Sequence, residues 1–426
     1  VTVGERTDRE TRRPDRRRRG GLVRYVVAAA LVRGADSGAA VGLILLAVDP
    51  ASHLRNGAAT GGLLAATLSA PHLVGPWTAH RLDRARDGRW TLAGAYLIYA
   101  VALAAGATAV GRIPIAAAVG AVAVAGCCGP LLTGGLSSRL AAIAQPAVRA
   151  QRRAQGWDAL TYSVGGTAGP AMVAGLSALS GPLTAVLGLS AVAAAGAVLT
   201  ITLPRHHVPS DRLSPGDAAR APGVRDGLVR LVAHPSLRRV TTMTMLSALG
   251  LGALPVIAAI FGPALTGRPG AGAALTVAFG VGGLAGALLV TVFPLRGEPE
   301  RLALRLFATV ATATALCAFA PTYAFALAGF AVMGLVNAIA FTATLAARTK
   351  YAPPYARAQV FVTSAGLKVA LASVGAAVTG MAAGLGGRAL LLIAAAITAT
   401  SVLAAVADRV FGRRSTDVRK TLGGIP

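Results

Sequence analysis

Arginine and lysine fall almost wholly in every second gap between the long apolar runs of this chain and at its two ends. Of the 41 basic residues, only Arg55, Arg112, Arg268 and Arg388 occupy the alternate gaps, and only Arg33 and Lys368 fall deep inside apolar runs, away from their ends. Basic residues collect in the cytoplasmic loops of membrane proteins. The alternation therefore reads as a chain that crosses a bilayer many times with both ends in the cytoplasm. A net charge of +25 would suggest nucleic acid in a soluble protein; here it reports topology. Charged residues make up 13% of the chain, against about 25% in a soluble protein, too few to cover the surfaces of soluble domains.

A helix needs about 20 apolar residues to cross the hydrocarbon layer. That requirement gives spans at 22–48, 57–79, 90–111, 113–135, 157–179, 182–203, 239–261, 271–293, 302–320, 322–346, 360–384 and 388–411. Residues 90–136 are too long for one crossing, and Gly111-Arg112-Ile113-Pro114 supplies the break; Pro321 breaks 302–347 in the same way. Residues 1–21 carry arginines and no apolar run, and are expected to be a disordered basic cytoplasmic tail. The run after them is too long for a signal-peptide core, so it is expected to stay as the first span. The chain then divides into an N-terminal half at 22–203, a proline- and arginine-rich cytoplasmic linker at 204–238, a C-terminal half at 239–411 and a tail at 412–426. Such a chain belongs in a cell membrane of bacterial inner-membrane type.

The halves share short sequence repeats. Arg149-Ala-Gln151 recurs as Arg357-Ala-Gln359 and Ser163-Val-Gly165 as Ser373-Val-Gly375, at offsets of 208 and 210 residues. Six spans followed by six in the same orientation make a parallel duplication, an architecture of transporters. The fold class expected is an all-α membrane protein of twelve helices in two six-helix halves.

Two motifs carry a family resemblance over 22–411. The connection Gly75-Pro-Trp-Thr-Ala-His-Arg-Leu-Asp83-Arg84-Ala-Arg-Asp-Gly88-Arg89 resembles the glycine, Asp-Arg, glycine and basic signature of the major facilitator superfamily. It departs from that signature at Ala79, where glycine is usual, and Gly88 comes two residues late. The resemblance implies a cytoplasmic latch between halves, with Gly75, Asp83, Arg84, Gly88 and Arg89 as its residues and Asp83 foremost. In span five, Gly165-Gly-Thr-Ala-Gly169-Pro170 resembles the glycine–proline motif of antiporter members. Its glycines permit close helix approach, and Pro170 frees a carbonyl and can bend the helix. The whole is most similar to twelve-span bacterial drug and small-molecule efflux carriers. That similarity implies a central cavity lined mainly by spans one, four, seven and ten.

Charges inside spans are costly, about 3 kcal/mol at the bilayer centre, so each needs a reason. Span one holds Arg33-Gly-Ala-Asp36-Ser37. Within these limits Asp36 is the only acidic residue deep in the bilayer. Arg33, three residues earlier, can form a fixed pair with it; alternatively Asp36 takes up and releases protons during a transport cycle. Lys368 in span eleven is a second deep cation. Asn337 in span ten and Tyr99 in span three are further candidates for the cavity wall, and His72 could titrate or simply pack.

The function expected is secondary active transport by alternating access, as proton-coupled efflux of a small, largely apolar compound. The alternative is a membrane scaffold or sensor that keeps the fold without transporting. No phosphate-binding loop, nucleophile–base set or metal spacing occurs, and Cys127, Cys128 and Cys317 make no ligand pattern. No enzyme activity, metal or cofactor is therefore expected. The expected partners are the substrate, protons and the bilayer, with anionic lipids near the basic loops and no nucleic acid.

Overall fold

The computed structural model describes residues 3–54, 56–85, 87–204, 229, 231–268 and 271–422. Among them every regular element is a helix. The first group comprises α1 (Val3–Val48), α2 (Gly57–Ser69), α3 (Gly75–Arg84), α4 (Gly88–Ala109), α5 (Ile115–Pro130), α6 (Leu136–Ile143), α7 (Val148–Ser180) and α8 (Pro182–Ile201). The second comprises α9 (Pro235–Leu251), α10 (Leu254–Thr266), α11 (Ala271–Val292), α12 (Pro299–Ala318), α13 (Tyr323–Tyr351), α14 (Arg357–Met381) and α15 (Gly387–Leu422). Among the described residues, ten helical stretches are long and apolar enough to cross a membrane. The other two expected crossings are α2 with α3, and α7, whose 33 residues extend roughly 50 Å at 1.5 Å each.

Two compact units result, one from Val1–Val224 with Pro354–Gly366 and the other from Arg225–Pro353 with Leu367–Pro426. The linker expected at 204–238 lies mostly outside the described residues. In the first unit α1 packs on α7, α8 and α2, and α4 packs on α5 and α8. In the second, α11 packs on α13, and α15 packs on α9 and α12. Val101, Leu316, Leu403 and Met381 stand exposed, as suits side chains whose solvent is hydrocarbon.

The breaks follow local chemistry. Gly111, at φ +73°, ends the α4–α5 turn, and a Cβ there would stand 2.2 Å from the Ser52 carbonyl oxygen. The other expected break also holds, with α12 ending at Ala318 and α13 beginning at Tyr323. Three differences from the sequence expectation are physical. Span two is broken, because Pro71 removes a backbone donor and disfavours helix just before it; residues Ala70–Val74 form a short 3-10 stretch instead. Span four passes through a π-turn at Leu131–Gly135 directly after Pro130 and continues to Ile143. The stretch expected as a disordered tail is helical from Val3. Arginine and glutamate are good helix formers, and a helix already nucleated by span one extends at little cost.

Candidate functional site

The site in the first unit begins with glycines. Helices α1 and α7 cross where Gly34 and Gly38 face Gly165 and Gly169. A Cβ on Gly169 would stand 2.1 Å from the Gly34 carbonyl oxygen, and one on Gly165 would stand 2.8 Å from Arg33 Cβ. Backbone therefore meets backbone, and α7 continues through Pro170 to Ser180. This approach presents one face of α7 to Arg33.

Arg33 is 2% exposed and Asp158 1%. The Arg33 Nη1 donates to Asp158 Oδ1 at 2.8 Å and to the Asp158 carbonyl at 3.0 Å, and also to the Thr161 hydroxyl. Its Nη2 donates to Ser137 Oγ at 2.8 Å and to the Thr133 carbonyl at 3.3 Å. The guanidinium lies 3.6 Å over the Tyr162 ring. Tyr25 donates its hydroxyl to Asp158 Oδ1 at 2.6 Å. The π-turn matters here, because it carries Thr133 and leads into Ser137. Such bulges often mark functional positions. Three helices, α1, α6 and α7, together with the π-turn thus surround one buried ion pair.

The pairing of Arg33 with Asp36 is replaced by pairing with Asp158. Three residues along a helix turn a side chain about 60° away, and α7 lies close enough for Arg33 to reach across. Nor is Asp36 the only deep acid. Span five was expected to begin at 157, but α7 begins at Val148, which sets Asp158 about 15 Å inside the helix.

Asp36 is half-buried, and no ion pair among the described residues includes it. His72 and Tyr99 lie within electrostatic reach of its carboxylate. Tyr99 is fully buried and its hydroxyl donates to the Ala35 carbonyl at 3.4 Å. His72 is buried in the break of span two, with Nδ1 lacking a hydrogen-bond partner. A Cβ on Gly129 would meet its ring at 2.4 Å, and one on Gly366 would meet its carbonyl oxygen at 2.3 Å.

In the second unit the Lys368 ammonium lies 4.1 Å over the Phe341 ring. Asn337 is half-buried one helical turn before Phe341 on α13. Arg348 is 3% exposed and donates to Thr244 Oγ1 at 3.3 Å.

The proposed latch residues separate into three kinds. Gly75 receives the 354–366 stretch, since a Cβ there would stand 3.2 Å from a Val362 methyl; Gly134 on span four receives Phe361 in the same way at 2.5 Å. Gly88 packs under the Arg139 guanidinium. Arg89 makes its described contacts inside the first unit. It grips Asp87 with two nitrogens, at 2.9 and 2.6 Å, and donates to the Ile201 and Leu203 carbonyls at 2.9 and 2.8 Å. It thereby closes the carbonyl end of α8. Its hydrogen bonds hold the Asp87 carboxyl down at about 2. Asp83 and Arg84 lie in α3, and their side chains fall outside the described residues.

Sequence reading missed the role of Asp158 and of the Thr133–Ser137 turn. The signal for Asp158 was present, since Asp158, Tyr162, Gly165 and Gly169 recur every three or four residues. Arg149, Arg152 and Arg153 lowered local hydropathy and shortened the expected span. Among the described residues no three His, Cys, Asp or Glu side chains gather as a metal site would require.

No protein-family model matches the sequence, and no curated protein matches it either. Solved structures do match. The human organic anion transporter MFSD10 (TETRAN) superposes with a TM-score of 0.69 at 16% identity, over 90% of this chain and 99% of that one. The proton:xylose symporter XylE gives 0.68 at 13% identity, over 90% and 94%. A bacterial homologue of the iron transporter ferroportin, in an outward-facing state, gives 0.66 at 13% identity, over 91% and 99%. The chain is an all-helical membrane protein with the fold of the major facilitator superfamily.

Proposed function

We propose that this protein is a secondary active transporter working by alternating access, which exports a small, largely apolar compound in exchange for protons. One observation carries the coupling part of this reading. Arg33 is engaged by Asp158, so Asp36 is left without the cation that would hold it permanently ionised. A half-buried carboxylate on span one, near His72 and Tyr99, is suited to take up and release a proton. The solved structures of the same fold are transporters by name, one of them a proton symporter. Asp83 and Arg84 act as the cytoplasmic latch, both termini face the cytoplasm, and anionic lipids gather at the basic loops.

The test uses proteoliposomes with an imposed pH gradient and two labelled probes, ethidium and hippurate. The parent protein moves at least one of them with the gradient, and Asp36→Asn loses the dependence on pH. Equal transport by Asp36→Asn, with the same pH profile, would refute coupling at Asp36. If neither probe moves, and single cysteines at Ser37 and Asn337 never alternate between inside and outside labelling, the scaffold reading stands instead.

A further inference from the structure

The two halves treat equivalent positions differently. At the 210-residue offset that relates Ser163-Val-Gly165 to Ser373-Val-Gly375, Lys368 stands where Asp158 stands. The local packing repeats as well. In the first unit Gly165 meets the backbone of Arg33 and Gly34 on α1; in the second, Gly375 meets the backbone of Leu249 on α9, where a Cβ would stand 1.8 Å from its carbonyl oxygen. The position near Arg33 is thus taken by leucine. One unit closes its charge with an opposite charge; in the other, no ion pair among the described residues includes Lys368.

The second unit has few carboxylates to offer. Those with described side chains are Glu298, Glu300 and Asp408, and each is already engaged. Glu298 binds Lys350 at 2.6 Å, Glu300 binds Arg239 at 2.8 Å, and Asp408 binds Arg239 at 2.6 Å and also Arg238. Lys368 instead has the face of Phe341, a weak partner for a cation. The field of Arg348 opposes it further. Asn337, one turn from Phe341, adds an amide to the same face of α13.

We infer that Lys368 binds an anion, and that the transported compound is an organic monoanion: an apolar body with one carboxylate. This rests on the transport reading above and refines its substrate class. The Phe341 ring beside the ammonium suits the apolar body. Lys368 donates to the carboxylate, and Asn337 supplies an amide donor near it. Inorganic phosphate shares the charge but lacks the body, and it serves as the control.

The experiment measures thermal unfolding of the full chain in detergent with millimolar hippurate, hippuramide or inorganic phosphate. Hippurate raises the midpoint, because binding stabilises the folded state, and hippuramide and phosphate leave it unchanged. Lys368→Met weakens hippurate binding about tenfold or more, the loss of one hydrogen bond to a charged group, and Lys368→Arg retains it. Without ligand, Lys368→Met unfolds above the parent, because an opposed charge has been removed. Hippurate binding that survives Lys368→Met, or equal stabilisation by hippuramide, would overturn the inference. So would the absence of any shift with hippurate. A lower midpoint for ligand-free Lys368→Met would show that a carboxylate neutralises Lys368, and would overturn it too. Binding needs no proton gradient, so the two readings fail separately. Loss of anion binding with proton-driven transport intact refutes this one alone, and binding without transport refutes the other.

Discussion

Removing Asp158 tests whether the Arg33 cluster holds the first unit together. Both partners are almost wholly buried, at 2% and 1% exposure. Asp158→Ala leaves the Arg33 charge in place with neutral partners alone around it: Thr161, Ser137, the Tyr162 ring and the carbonyls of residues 133 and 158. Breaking a buried pair from one side costs about 3–5 kcal/mol. The Tyr25 hydroxyl loses its acceptor in the same step, a further cost of about 1–3 kcal/mol. A loss near 4 kcal/mol lowers the folded-to-unfolded ratio by about a thousandfold, a large share of the stability of roughly 5–15 kcal/mol typical of a folded domain. Arg33→Met combined with Asp158→Leu removes both charges and keeps the volume, so the double variant should lie within about 1–2 kcal/mol of the parent. The assay is a double-mutant cycle on unfolding midpoints in detergent, with Asp36→Ala as the comparison. No ion pair among the described residues includes Asp36, so its removal should cost less than about 1 kcal/mol. If Asp158→Ala unfolds with the parent, or the double variant is as unstable as the two singles summed, the pair is not what holds these helices.

Other expectations follow from the same geometry. Gly169→Ala must push α1 and α7 apart by roughly 1 Å, and should cost about 1–3 kcal/mol as overpacking does; Gly166→Ala, which meets nothing within 4 Å, should be neutral in the same thermal assay. Gly134→Leu should lower yield and midpoint, because its Cβ would stand 2.5 Å from the Phe361 carbonyl oxygen. The Asp87 carboxyl is held at about 2 against an ordinary 3.8, so its contribution is full above the ordinary value and disappears as pH falls through about 2. The midpoint difference between parent and Asp87→Asn should therefore be constant above pH about 5 and shrink towards pH about 2; a difference that grows on acidification would reverse the sign of the argument.

The succession of spans was legible in the sequence because it is written in the length of the apolar runs. The breaks at Gly111–Pro114 and at Pro321 were legible too, as glycine and proline act through the backbone wherever they stand. Pro71 carried the same signal, yet the apolar run around it masked the break in span two. Asp158 was hidden for a related reason. Hydropathy averages over a window, and three arginines within a turn or two of a helix start conceal how deep the helix has begun. The partner of Arg33 could not be read at all from spacing along α1. It depends on how closely another helix approaches, which glycines on both helices decide together. Lys368 was visible as an exception to the charge pattern, but that the described carboxylates of its unit are engaged by other cations was not.

The crossing of Gly34 and Gly38 with Gly165 and Gly169 also constrains how the first unit can move. With carbonyl oxygens lodged where side chains would otherwise separate the axes, α1 and α7 behave as one beam. Neither can slide along the other by less than a full turn, the distance from one glycine notch to the next. Asp36 and Asp158 therefore travel as fixed points on a single rigid body. Bending of the first unit must be taken up elsewhere, as at Ala70–Val74, where span two is already interrupted.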